Sequence, residues 1–231
     1  MPPNSTTAAP MRRTQAERRD ESERSLMAAT LSVIAERGVN AATFEAIGQA
    51  AGYSRGLATQ RFGSKQGLID AVIANAHQQR DTMLELDHVT EMSGLEAILH
   101  YVESHLTNLR GPPDGRAYFM LMAGAVADAA PAREAFAHSH ERVRLWLEDK
   151  VRQGQAVGEI RPEMDPTAGA IMVGSLLIGV SMQWLVDPET NLDLIRQTSL
   201  QALRQSFSAD RPHAVEQPVS VQDAVPTGEK T

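Results

Sequence analysis

The chain contains no cysteine. That removes three classes of chemistry at once: a disulfide framework, a thiolate metal site and a thiol nucleophile. It also fits a reducing cytoplasm. Met1 to Pro10 is polar and proline-containing, so the secretory pattern of a charged start and an apolar stretch is missing. No G-x-S-x-G, phosphate-binding P-loop or G-x-G-x-x-G pattern occurs, and no internal repeat or heptad run is visible. Alternating apolar and polar segments are absent and β-branched runs are few, which speaks against a sheet. What is present is an ordinary globular composition, 42% hydrophobic and 22% charged over 231 residues, long enough for a substantial core.

The net charge of −7 is unevenly spread. Residues 1–80 carry a surplus of +3 and residues 81–231 a deficit of −10. Any contact with a polyanion is therefore expected at the front of the chain.

Proline and glycine punctuate helical periods throughout. Residues 1–18 form a basic, polar lead-in, and residues 209–231 are polar and proline-interrupted; both are expected to be disordered tails. The first helix is expected from about Asp20 to Arg37, with Leu26, Ala29, Thr30, Val33 and Ile34 on one face and Gly38 as its stop. Thr43 and Ser54 are placed to cap two short helices, and Gly63-Ser64 opens a fourth that carries Leu68, Ile69, Val72 and Ile73. Ser93-Gly94-Leu95-Glu96 has the form of a capping box. Further helices fit at about 116–129, 131–153, 165–186 and 191–207, the third of these opened by Asp165-Pro166. The expectation is an all-α protein of about nine helices: a three-helix bundle over 19–65 joined to a larger helical bundle over 66–208. Ala168 to Val186 approaches the length of a membrane span, but Asp165-Pro166 and Asp187-Pro188 flank it and no basic cluster anchors it. A buried or interface helix, with no membrane partner, is the reading adopted.

The run Thr43-Phe44-Glu45-Ala46-Ile47-Gly48-Gln49-Ala50-Ala51-Gly52-Tyr53-Ser54-Arg55-Gly56 has the physics of a helix-turn-helix. Ala50 and Ala51 are small enough for two helices to cross closely. Gly52 permits a positive φ in the turn, and Tyr53 and Ile47 fill the space between the helices. Ser54 caps the next helix so that its N-terminus points outward. The continuation Ser54 to Phe62, then Gly63-Ser64-Lys65-Gln66-Gly67-Leu68-Ile69, resembles the TetR family pattern, in which a recognition helix ends in an aromatic residue before a Ser-Lys pair and an apolar helix. The likeness reaches back to Ala35-Glu36-Arg37-Gly38 and covers about 50 residues strongly. Gly158-Glu159-Ile160-Arg161-Pro162 and the stretch from Gly179 to Pro188 are weaker echoes.

The resemblance implies a cytoplasmic, homodimeric regulator that binds a double-stranded DNA operator, most often as a repressor, without a cofactor. It implies phosphate contacts at Thr43 and Lys65, and major-groove positions at Arg55, Gly56, Gln60 and Arg61. Many members carry Tyr where this chain has Thr59, which puts a phosphate contact there in doubt. Glu45 stands where a basic residue is frequent. Arg12, Arg13, Arg18 and Arg19 form either a DNA-touching arm or a solvated tail, and the interspersed acids favour the tail.

For the rear bundle, Ser175 and Gly179, four apart, would let a partner backbone approach, with Leu192, Ile195, Leu200 and Leu203 packing beside them in a dimer interface. Tyr118, Met122, Trp146 and Met172, with Phe119, Met120 and Met182, supply adaptable apolar surface, and the resemblance implies a small hydrophobic or amphipathic effector there. The same side chains also suit a plain core. Two rival readings are weighed: a DNA-binding dimer without a sensor, and, less favoured, an all-α enzyme using Glu134 and His138; no catalytic activity is expected. That pair alone is too few for a metal site, and His100 and His105, five apart, do not share a helix face.

Overall fold

The computed structural model describes residues 14–86, 89, 91–111, 113–128 and 131–209. Nine α-helices and one short 3-10 turn account for the regular structure of these residues: α1 Gln15–Arg37, the turn Val39–Ala41, α2 Phe44–Ala51, α3 Arg55–Phe62, α4 Lys65–Leu84, α5 Gly94–Asn108, α6 Asp114–Ala127, α7 Ala132–Ala156, α8 Pro166–Val186 and α9 Leu192–Phe207. The only β pairing among them is an isolated antiparallel bridge between Ile160 and Ser208, which clasps the end of α9 to the α7–α8 connection.

Helix α1 starts five residues earlier than its apolar period suggests. Thr14 accepts from the Glu17 backbone N–H, and the Glu17 carboxylate accepts from the Thr14 N–H at 2.8 Å. This reciprocal capping box satisfies two of the donors a helix start leaves open. Residues 15–18, expected in the lead-in tail, are therefore helical, and Arg19 pairs with Glu23 along the exposed side of the helix. Arg12, Arg13 and the rest of the expected N-terminal tail lie outside the described residues, as does the C-terminal tail from 210 onward. At Ser93 only half of the expected capping box forms: its hydroxyl accepts from the Glu96 N–H.

One hydrophobic core runs through the whole molecule. Leu26, Val33 and Ile34 of α1 and Leu68, Val72 and Ile73 of α4 are buried in it, together with Ile98 and Val102 of α5, Leu147 and Val151 of α7 and Phe207 of α9. The front bundle is not an independent ball on a tether, because α6 packs along α1 and touches the 3-10 turn. Helix α8 packs chiefly on α7. It is long and apolar enough to cross a membrane by length and composition, yet Val173, Leu177 and Trp184 face the protein interior. Its other side leaves Ile171, Met172 and Val186 exposed.

Candidate nucleic-acid interface and effector cavity

The front site is assembled from caps and glycines. Thr43, Ser54 and Ser64 are the N-caps of α2, α3 and α4, and each side chain accepts from a backbone N–H three residues on, at 3.0–3.2 Å. Gly52 ends α2 in the left-handed conformation with φ 74°, as a tight turn between the two helices demands. The close approach itself is made at Gly48, where an added Cβ would lie 2.8 Å from the Tyr53 carbonyl oxygen. Ala50 is exposed and Ala51 half-buried, so the small residue that permits the crossing is Gly48 and not the alanine pair. A second such contact lies at Gly67, whose Cβ would meet the Phe62 carbonyl at 2.4 Å and so sets how α4 leaves α3. Ile47 is buried and Tyr53 half-buried against the core, as their spacing predicts.

Helix α3 turns Ala58 inward and presents Arg55, Gly56, Thr59 and Gln60 to solvent, with Ser54 exposed at its tip. The Thr59 hydroxyl donates to the Arg55 carbonyl at 3.1 Å, so it is tied to its own helix. Arg61 is only half-exposed, and its Nε is enclosed without a partner. Lys65 is the first residue of α4. Its ammonium donates to the Val39 carbonyl at 2.9 Å and the Asn40 carbonyl at 3.4 Å, stapling the start of α4 to the turn after α1. Glu45 is exposed on α2.

Two neighbouring cavities of the rear bundle, of about 290 Å³ and about 240 Å³, share the walls Arg80, Tyr101, His105, Tyr118 and Phe119. Of the four effector contacts expected from sequence, Tyr118 lines both. Met122 is buried in the core, Trp146 packs against Tyr101 at 5.6 Å between ring centres, and Met172 points outward; none of the three lines either cavity. The larger cavity also reaches Ile171, Gly174 and Ser175 on α8.

Arg80, on the last full turns of α4, is the residue that sequence reading passes over. Its guanidinium sits 4.5 Å above the Tyr118 ring, and its Nη1 donates to the Tyr118 hydroxyl at 3.1 Å and the Ser139 hydroxyl at 2.9 Å. These partners are 38 and 59 residues away. In sequence, His77-Gln78-Gln79-Arg80 looks like a solvated helix face. Histidines 77, 105 and 140 surround it, all held below their ordinary pKa first by burial and then by the Arg80 charge, His77 and His105 down to about 4. They are therefore neutral near pH 7. His105 exchanges a hydrogen bond with Ser181 at 3.1 Å, and His140 with Tyr118 at 3.4 Å.

Among the expected interface residues, Leu192 and Leu203 are buried in the protomer's own core, and Ile195 is half-buried. Gly179 of α8 has open space where a Cβ would stand, and Leu194 of α9 is 60% exposed. Glu134 and His138 are both exposed on α7, away from the two cavities. Among the described residues no three His, Asp or Glu side chains converge to hold a metal.

Two family profiles match the chain: "Bacterial regulatory proteins, tetR family" over residues 26–72, and "BetI-type transcriptional repressor, C-terminal" over residues 95–208. No curated protein sequence matches. Among solved structures, the fold is similar to a TetR-family transcriptional regulator from Rhodococcus sp., 24% identical, with a TM-score of 0.67 over 82% of this chain and 100% of that one. It is similar also to SmeT, the repressor of the Stenotrophomonas maltophilia multidrug efflux pump SmeDEF, with 21% identity and a TM-score of 0.65 over 89% and 100% of the two chains. The ketosteroid transcriptional regulator KstR2 of Mycobacterium tuberculosis shows 18% identity and a TM-score of 0.64 over 85% and 97%. With both family profiles in place along one continuous all-α fold, this chain belongs to the TetR family of DNA-binding transcriptional regulators.

Proposed function

We propose that the protein is a cytoplasmic homodimeric repressor that holds an operator through α3 and releases it when a small hydrophobic or amphipathic effector enters the rear bundle. The observation that carries this reading is α4: one unbroken helix from Lys65, directly after the recognition helix, to Arg80 in the wall of both cavities. At 1.5 Å per residue, fifteen residues of helix put the cavity wall about 22 Å from the DNA end. A change of packing at Arg80 is thereby transmitted as a tilt of α4 and a new spacing of the two recognition helices. Effector energy moves the DNA equilibrium only by its preference between the two shapes.

Arg55, Gly56 and Gln60 enter the major groove in this reading. Gln and Arg can address adenine and guanine edges, and Gly56 allows close backbone approach. Thr43 stands beside a helix N-terminus suited to phosphate. The exposed apolar side of α8, with Ile171, Met172 and Val186, and Leu194 of α9 supports an isologous dimer face. A dimer is what brings two α3 helices to successive major grooves.

The test is operator titration at fixed salt with DNA from upstream of the protein's own gene, using wild type, Arg55→Ala and Gln60→Ala. Binding that exceeds scrambled DNA by about a thousandfold, and that weakens by about 1–3 kcal/mol in either variant, supports the reading. Equal affinity for any DNA, or variants that bind like wild type, overturns it.

A further inference from the structure

Arg80 carries a charge and makes no ion pair among the described residues. Both of its side-chain hydrogen bonds leave from Nη1 and end on neutral hydroxyls, those of Tyr118 and Ser139. Its Nε and Nη2 make none among the described residues. Among the described residues, three carboxylates on α4 and α7 are already engaged: Asp81 with Arg142, Glu141 with Arg144, and Glu148 with both Arg144 and Arg152; Asp114, in the wall of the smaller cavity, makes no ion pair with Arg80. The three histidines around it are neutral and supply no anion. Burial removes part of the solvation of this guanidinium, and two neutral hydroxyls replace it without supplying an anion. Stacking on the Tyr118 ring offsets part of that loss.

We propose that the missing anion comes with the effector, which is an organic acid whose carboxylate pairs with Arg80 through Nε and Nη2. Its apolar body lies among Tyr101, Phe119, Leu147 and Leu177. A planar carboxylate matches the free edge of the guanidinium in a bidentate fork. This assignment rests on the sensor reading above and sharpens it, since it places the ligand's charge on α4 itself.

The experiment is calorimetric titration and thermal shift on the full chain at near-neutral pH with matched pairs that differ only in charge: octanoate and octanamide, phenylacetate and phenylacetamide, cinnamate and cinnamamide. At least one acid is expected to bind about tenfold or more tightly than its amide, the scale of a charge-assisted bidentate pair. Arg80→Met brings that acid and its amide to within about twofold. Arg80→Lys, which keeps the charge but not the fork, binds the acid more weakly while still preferring it to the amide. If Arg80→Met does not fold, as judged by circular dichroism, the lysine variant carries the test. Amides that bind as well as acids, failure of every acid to bind, or a preference that survives Arg80→Met overturns the proposal. Operator titration separates this from the release reading. An acid that binds through Arg80 yet leaves the operator complex intact removes the release mechanism and keeps the acid site. An amide that binds as well as its acid and frees the operator does the reverse.

Discussion

The front bundle and the rear bundle are built from the same helical material but specified at different ranges. In the front bundle nearly every decisive contact joins residues within about a dozen positions: Thr43 to Ala46, Gly48 to Tyr53, Ser54 to Leu57, Phe62 to Gly67. In the rear bundle the decisive contacts span tens of residues, as with Arg80 and Ser139 or His105 and Ser181. A recognition surface must be held rigid by short-range geometry. A cavity instead exists only where helices distant in sequence fail to fill the space between them.

The contrast predicts where damage is worst. Gly48→Val forces a side chain onto the Tyr53 backbone at the helix crossing and is expected to cost about 3 kcal/mol or more. Chemical denaturation should show that loss, and operator binding should fall with it. A stability change under about 1 kcal/mol would mean that the front bundle is looser than its glycine contacts imply.

The rear bundle should respond instead to acid. His105 titrates near 4 in the folded protein against 6.5 unfolded, so between those values the unfolded chain binds more protons. Stability from this residue is complete above about pH 6.5 and is lost as pH falls toward 4, by up to about 3 kcal/mol. His77 adds to the same window, discounted because it is partly open. Denaturation midpoints across that range should flatten in His105→Gln. An unchanged slope would show that His105 titrates alike in the folded and unfolded chains.

Lys65 tests the boundary between the two regions. Its ammonium is committed to the Val39 and Asn40 carbonyls, whereas the family resemblance assigns it to phosphate. Lys65→Met is expected to cost about 1 kcal/mol of stability, a charged hydrogen bond at a half-exposed site. The salt dependence of operator binding should not change. A slope reduced by about one would assign Lys65 to phosphate after all.

The smallest effect is expected at Gly124, in the last turn of α6, where an added Cβ meets nothing within 4 Å. Gly124→Ala should stabilise the protein by about 0.5–1 kcal/mol through helix propensity alone. Destabilisation would reveal a contact there, such as a partner protomer.

Much of this was legible in the sequence. The all-α class, the caps at Thr43, Ser54 and Asp165, the turn at Gly52 and the core faces of α1 and α4 follow from local propensity and a 3.6-residue period. The start of α1 was not, because Thr14 and Glu17 precede any apolar repeat. The identity of the crossing residue was not either: Gly48, Ala50 and Ala51 are all small, and only the rotation of α2 decides which one meets Tyr53. Leu192 and Leu203 have the spacing of an exposed interface face, yet lie in the protomer's own core.

What the sequence determined by itself is the helical content, the front recognition unit and the breaks between elements, all of which depend on neighbours a few residues apart. Only the tertiary structure decided which side chains face the cavities and that Arg80 stands there with no ion pair among the described residues. Burial and charge pairing are properties of how distant helices pack, and no local pattern encodes which gaps that packing leaves unfilled.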